Sequence, residues 1–230
     1  MIYMGSKNRI AKYILPIILK DRKEGQWYVE PFVGGANMID KVDGNRIGAD
    51  YDAHVIQALV AIRDFCTELP ESVSEFQYKE IKNLDPSPIN SWIRFVCSFG
   101  GRFNNGYARN KAGQNYARAG VNNAQKQSPK LQGVVLLNKS YLDLNLTKPC
   151  IIYCDPPYEG TTGYKDKFNH AEFWEWCRNM SKQGHQVFIS EYNAPDDFEC
   201  LWEGEIKTNF ASQRKEATHK ATEKLFKYKL

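Results

Sequence analysis

The chain has 230 residues, 42% of them hydrophobic, and a net charge of +4. This length suits one α/β domain with an insertion, or two small domains, and the composition supports a substantial core. No run of 18 apolar residues exists, and Met1-Ile2-Tyr3-Met4-Gly5-Ser6-Lys7 lacks the apolar centre of a signal peptide, so neither a membrane span nor a leader is expected. The six cysteines form no C-x-x-C pair and the four histidines lack ligand spacing, which predicts reduced thiols, no metal and a cytoplasmic protein.

The first element is an amphipathic helix with Ile10, Ile14, Ile17 and Ile18 on one stripe and Ser6 as its cap. A helix start beside Tyr3 and Lys7 is a candidate carboxylate or phosphate site. Trp27–Val33 then reads as a strand, followed by Gly34-Gly35-Ala36-Asn37. Two glycines after a strand let the backbone approach a ligand closely, with helix N–H groups pointing at it. Arg46–Asp50 is a short strand that ends on a carboxylate. An acid at the end of the second strand of a Rossmann-like sheet takes ribose hydroxyls, so Gly34-Gly35 with Asp50 favours an adenosine-bearing ligand. Asp52, two residues on, suits a helix cap instead.

Residues 66–130 read as an insertion between two parts of one catalytic domain, 1–65 and 131–230. It begins with helices near 74–84 and 89–99, separated by Asp85-Pro86-Ser87-Pro88. Asn105-Gly106 and Ala112-Gly113 then mark turns, giving a hairpin or ordered loop across 99–116. From Pro86 to Leu142 there is no Asp or Glu, but there are eight Lys and Arg residues. A segment with one sign of charge is a solvated face or a polyanion-binding surface. Arg102, Asn105, Tyr107, Arg109, Lys111 and Tyr116 are types that read base edges and hold phosphates, so nucleic acid is preferred.

Val134–Leu137 restarts the sheet. Cys150-Ile151-Ile152-Tyr153-Cys154 is an apolar run of strand length, reading as a strand buried on both faces. It ends on Asp155-Pro156-Pro157-Tyr158. Asp155 offers acceptor oxygens, the prolines present carbonyls without N–H donors of their own, and Tyr158 adds a flat face. Such a loop suits a flipped-out nucleobase whose exocyclic amine is the nucleophile. A glycine-rich stretch over 159–165 is a candidate lid. A helix over 171–182 carries core aromatics, a strand covers 186–190, and stretches near 204–210 and 223–228 pair as a hairpin. A basic linker between these two holds Arg214, Lys215 and Lys220.

Taken in order, Tyr3-x-Gly5-x-Lys7, Glu30-Pro31-Phe32-Val33-Gly34-Gly35, Ala49-Asp50, Arg102-Phe103-Asn104 through Tyr107-x-Arg109-x-Lys111-x-Gly113, and Asp155-Pro156-Pro157-Tyr158 resemble the DNA-adenine methyltransferases of the Dam type. These form the D12 class, in which the cofactor motif precedes the catalytic one. The resemblance implies an α/β, Rossmann-like sheet with helices on both faces and a small, mostly helical target-recognition insertion. It implies S-adenosylmethionine as methyl donor, held by Tyr3, Lys7, Glu30, Phe32, Gly34, Gly35, Asp50 and Asp155. It implies duplex DNA as partner and an adenine placed against Asp155, Pro156, Pro157 and Tyr158. The insert is compact, as in phage, prophage and restriction-modification versions, and matches the family loosely beyond Gly113. An N4-cytosine methyltransferase would use the same acceptors, and a DNA-binding protein with a vestigial methyltransferase fold is the rival from another class. A nicotinamide enzyme fits less well, because G-x-G-x-x-G is absent at the first strand turn.

Overall fold

The strands Tyr28–Glu30 and Ile151–Cys154 each stop where a proline follows closely, at Pro31 and at Pro156. The computed structural model describes residues 1–109, 113–159, 168–207 and 220–230. These hold six α-helices and seven strands. The chain divides into two units, one of Met1–Lys12 with Trp27–Leu144, the other of Tyr13–Gln26 with Asn145–Leu230. The division falls inside α1 (Ala11–Ile18). Ile10, Ile14 and Ile18 are buried as the helical stripe requires, and Leu15 joins them, while Ile17 is half-buried. Ser6 caps a 3-10 turn, Lys7–Arg9, that precedes α1, and does not cap α1 itself.

In the first unit β1 (Tyr28–Glu30), β2 (Arg46–Asp50) and β3 (Val134–Asn138) run parallel, with β2 in the middle. β1 is shorter than the 27–33 run, because Pro31 has no N–H to give to a ladder. The chain still tracks β2, since the Val33 N–H donates to the Ala49 carbonyl at 2.8 Å. The helix expected after Gly34-Gly35 is only a 3-10 turn, Ile39–Lys41. The stretch between Ala36 and Arg46 is short and must also make the Asp43-Gly44 turn.

α2 (Ala53–Asp64) begins as expected at Asp52, whose carboxylate accepts the His54 N–H at 2.8 Å. Such a cap is worth about 1 kcal/mol. α3 (Glu75–Ile81) starts with a Ser74–Gln77 capping box, and α4 (Pro88–Val96) with Ser87 and a proline in its first turn. α5 (Tyr116–Leu131) was not legible in the sequence. Gly120, Asn122 and Asn123 are weak helix formers, and the first half of its buried face is made of small residues, Ala117, Gly120, Val121 and Ala124, before Gln127 and Leu131. Tertiary packing supplies what propensity does not. α4 and α5 both pack on α2. A Cβ at Gly120 would lie 2.3 Å from Val96 and 2.8 Å from Trp92, so only glycine permits that approach to α4. The 66–130 segment is thus part of the first unit's own core.

In the second unit the strand order is β4 (Ile151–Cys154), β5 (Gln186–Glu191), β7 (Lys220–Tyr228), β6 (Phe198–Lys207). β4 and β5 are parallel, and β7 is antiparallel to β5 and β6. All four residues of β4 are buried, as an apolar run without alternation predicts. α6 (His170–Lys182) is capped by Asn169 and buries Phe173, Trp174 and Cys177. The expected hairpin is present as β6 and β7, although residues 208–210, with Arg214 and Lys215, lie outside the described residues. All six cysteines are free thiols. Among the described residues no helix is long and apolar enough to cross a membrane.

Candidate active site

In the first unit the glycine turn and the acid at the end of β2 meet. The Gly34 N–H donates to Asp50 Oδ2 at 3.0 Å, and the Asp52 N–H donates to Asp50 Oδ1 at 3.0 Å. The main chain at this point is held from the other side as well. Asn138 Nδ2 donates to the Asp50 and Tyr51 carbonyls, each at 3.0 Å, and the Lys139 N–H donates to the Asp50 carbonyl. Burial pushes the Asp50 carboxyl up to about 6, against the opposing pull of the two N–H groups. An ionised carboxylate has about four acceptor positions, and these N–H groups occupy two. One position therefore remains on each oxygen, the pattern a vicinal diol needs.

Tyr3 lies on the glycine pair. A Cβ at Gly34, whose φ is +46°, would come within 2.9 Å of the Tyr3 ring, and one at Gly35 would meet Tyr3 at 2.7 Å and Asn37 at 2.6 Å. The glycines are thus required by the packing of Tyr3. Tyr3, Gly34, Gly35 and Asp50 form one continuous group. Lys7 is buried and donates to the Gly5 carbonyl at 3.1 Å. Glu30 is buried and accepts the Tyr28 hydroxyl at 2.9 Å, and Phe32 tilts against Tyr141.

The insertion residues divide by exposure. Phe99 N–H to Gly106 carbonyl and Ala108 N–H to Cys97 carbonyl hold a tight hairpin, with Ser98 and Tyr107 bridged. Arg102, Asn105 and Arg109 are exposed on or beside it. Tyr107 is half-buried and its hydroxyl donates to the Val73 carbonyl at 2.6 Å. Tyr116 is the first residue of α5, and Lys111 lies outside the described residues. The sequence missed what backs this hairpin. Arg94 lies over the Phe103 ring at 4.4 Å and donates to Asn104 Oδ1 at 2.9 Å, and His54 stacks on Phe103. The acid-free stretch also draws acids from the segment before it. Glu75 receives Arg109 Nε at 3.0 Å and its guanidinium again at a second oxygen, and Glu71 pairs with Arg118.

In the second unit Asp155 follows β4 directly and is half-buried, Pro156 is buried, and Pro157 and Tyr158 are half-buried. The Tyr158 hydroxyl donates to Glu223 Oε2 at 2.5 Å, and its ring meets Tyr192 edge-on at 4.7 Å. Burial, with the Asp155 and Glu223 charges, pushes the Tyr158 phenol well above its usual range, so it remains a donor. The Glu159 N–H, just past the loop, donates to Glu191 Oε2 at 3.2 Å. Burial, then the charges of Asp155 and Glu159, push the Glu191 carboxyl up to about 7. Glu191, Tyr192 and Glu223 were not singled out in the sequence. Glu191 sits one position past the end assigned to its strand, and Glu223 is 65 residues from its partner. The lid expected over 159–165 lies outside the described residues from Gly160 onward.

Residues 3–86 match the family model of the D12 class N6 adenine-specific DNA methyltransferases. The chain is 24% identical over 241 aligned positions to the modification methylase StsI of Streptococcus sanguinis, covering 90% of this chain and 36% of that protein. It therefore spans about a third of the relative's length. Among solved structures it resembles yhhF of Escherichia coli, described as a candidate methyltransferase, at 8% identity and a TM-score of 0.42, over 96% of this chain and 83% of that one. A candidate methyltransferase from Thermoplasma acidophilum gives 10% identity and a TM-score of 0.38, over 92% and 71%.

Proposed function

We propose that this chain is an adenine-specific DNA methyltransferase, moving a methyl group from S-adenosylmethionine to the N6 amino group of an adenine flipped out of duplex DNA. The observation that carries the reading is the Gly34–Asp50 turn. It lies inside the segment matched by the D12 family and keeps one acceptor position on each Asp50 oxygen. That arrangement fits the ribose diol of an adenosine cofactor. Tyr3, Lys7, Glu30, Phe32, Gly34 and Gly35 complete the cofactor side.

S-adenosylmethionine, when bound, supplies a methyl group made electrophilic by its sulfonium. Asp155 and the Pro156 carbonyl accept the two hydrogens of the N6 amine and so draw its lone pair out of conjugation with the ring. Pro156 and Pro157 hold these acceptors in fixed positions, because X-Pro steps are stiff and extended. Tyr158 presents its ring to the base. As the N–C bond forms, the methyl–sulfur bond would break with its electron pair left on sulfur, and the surplus proton on N6 passes to Asp155. Fixed acceptors in place of water contribute most of the rate, with removal of one such group costing on the order of 10²–10³ in turnover. Arg102, Asn105, Tyr107, Arg109, Lys111 and Tyr116 hold the duplex, the charged ones on phosphates. A duplex DNA substrate fits a protein of the cytoplasm of a bacterial or phage-infected cell.

The test is direct. The protein is incubated with labelled S-adenosylmethionine and unmethylated duplex DNA, which is then digested to nucleosides for mass spectrometry. N6-methyladenine is expected. N4-methylcytosine would change the base, and no labelled nucleoside despite duplex binding would leave a DNA-binding protein with a vestigial fold.

A further inference from the structure

The Asp-Pro-Pro-Tyr loop carries no regular structure of its own, yet its proposed task requires acceptors fixed to within about half an ångström. Two buried carboxylates from elsewhere in the second unit reach it. Glu191, at the end of β5, is 3% exposed, and Glu223, on β7, is 7% exposed. Register places both at the same sheet edge as the loop. Cys154 pairs with Ile189 across β4 and β5, and Glu191 pairs with Lys224 across β5 and β7. Glu223 holds the Tyr158 hydroxyl, and Tyr192 meets the same ring edge-on. Glu191 accepts two main-chain N–H groups, that of Glu159 at 3.2 Å and that of Tyr192 at 2.7 Å. The loop is thereby tied at its side chain and at its exit.

Core packing alone does not account for this choice of residues. A carboxylate taken out of water costs several kcal/mol unless it is well hydrogen-bonded, and an apolar residue would fill the space more cheaply. Asp155 adds a third acid close enough to raise both Tyr158 and Glu191. Each carboxylate takes a donor from the Tyr158-Glu159 step, which is what both have in common.

Resting on the methyltransferase reading above, we propose that Glu223 and Glu191 are positioning residues for the methyl acceptor. Glu223 fixes the plane of the Tyr158 ring, and Glu191 fixes the main chain immediately after it. Neither touches the reacting atoms. Their loss therefore acts on turnover through the loop and leaves the binding of cofactor and duplex nearly unchanged.

The experiment is a double-mutant cycle on the full chain, reading kcat, the KM for S-adenosylmethionine and the Kd for duplex DNA, with thermal melting as the folding control. Tyr158→Phe and Glu223→Ala each remove the same hydrogen bond. Each is expected to lower kcat by about 10- to 100-fold, the scale of a misplaced reacting group, with KM and Kd within about threefold. The double variant should be no worse than the weaker single, since the two residues act as a unit. Glu223→Gln keeps an acceptor for the Tyr158 hydroxyl and should restore most of the turnover. Glu191→Gln keeps one acceptor and should lie between. Full turnover in Glu223→Ala, or additive losses in the double variant, would overturn the inference while leaving the reaction standing. If Glu223→Ala does not fold, Tyr158→Phe with Glu223→Gln carries the same test. A wild-type chain that methylates neither adenine nor cytosine would overturn the methyltransferase reading and this inference with it.

Discussion

The Gly34–Asp50 turn and the 98–118 stretch place polar groups under opposite conditions. Around Asp50, donors and acceptors are partly withdrawn from water and satisfied mainly by main chain. In the 98–118 stretch Arg102, Arg109 and Arg118 stand in water, and two of them are already paired, Arg109 with Glu75 and Arg118 with Glu71. Exposed ion pairs of this kind are weak, because water screens them. Duplex binding would require them to exchange for a phosphate. The first arrangement suits one small ligand of fixed shape, the second a long polyanion. Substitutions should therefore separate cleanly, altering cofactor affinity at one region and salt-dependent duplex binding at the other.

The sharpest separation comes from the acceptor loop, which should belong to neither binding region. Asp155→Ala is expected to lower methyl transfer by on the order of 10²–10³ or more, with duplex affinity within threefold of wild type, as read by a filter assay beside the methylation assay. Asp50→Ala comes next. It removes hydrogen bonds to a charged group, of which even one is worth about 1.5–3 kcal/mol, so the Kd for S-adenosylmethionine should rise by at least roughly 10- to 100-fold, while duplex binding stays put. The carboxyl of Asp50, raised to about 6 by burial, adds a pH signature. Its ionised form is the better acceptor, so wild-type cofactor affinity should climb as pH rises through 6 and level above it. Isothermal titration at pH 5 and 7.5 measures this, and Asp50→Asn should flatten the difference.

How far the sequence revealed each region follows from the same contrast. Asp50 was legible because its spacing from Gly34 is local and its strand, Arg46–Asp50, has the boundaries that the apolar pattern marks. Asp155 was legible because Ile151–Cys154 is an uninterrupted apolar run. Glu75 was not. The run without acids from Pro86 to Leu142 is a fact about chain order, whereas charge neutralisation depends on distance, and α3 brings its acid in from outside the run. α5 escaped for a related reason, since Gly120 weakens the helix locally and is needed only because Val96 and Trp92 lie against it. Glu191 and Glu223 carry no motif at all, and their role depends on β5 and β7 pairing.

The pH dependence of stability probes the second unit without reference to any substrate. The Glu191 carboxyl is raised from 4.5 to about 7 in the folded chain. The folded state therefore holds a proton that the unfolded state has released between these values. Stability should fall as pH rises from about 4.5 to 7, the reverse of a salt-bridged acid. The contribution is at most about 3 kcal/mol and smaller after solvent screening. Urea unfolding at pH 5 and 7.5 tests it, and Glu191→Gln should reduce the difference. An equal slope in the variant would place the titration elsewhere.

The smallest effect tests the exposed region most selectively. If Arg109 exchanges its bond with Glu75 for a phosphate, Glu75 competes with DNA for the guanidinium. Arg109→Ala should weaken duplex binding and lower the salt slope by about one. Glu75→Gln should act in the opposite direction, tightening binding by a few-fold at low salt, because an amide holds the guanidinium less strongly than a carboxylate and the repulsion between an acid and the duplex is removed. Both effects should shrink as salt rises, since screening weakens exposed charges. Combining the two substitutions decides between competition and simple repulsion. Under competition, Glu75→Gln loses its benefit in the Arg109→Ala background, because no guanidinium remains to release. Under repulsion alone the gain persists, and the Arg109–Glu75 pair would then be a feature of the free hairpin with no part in binding.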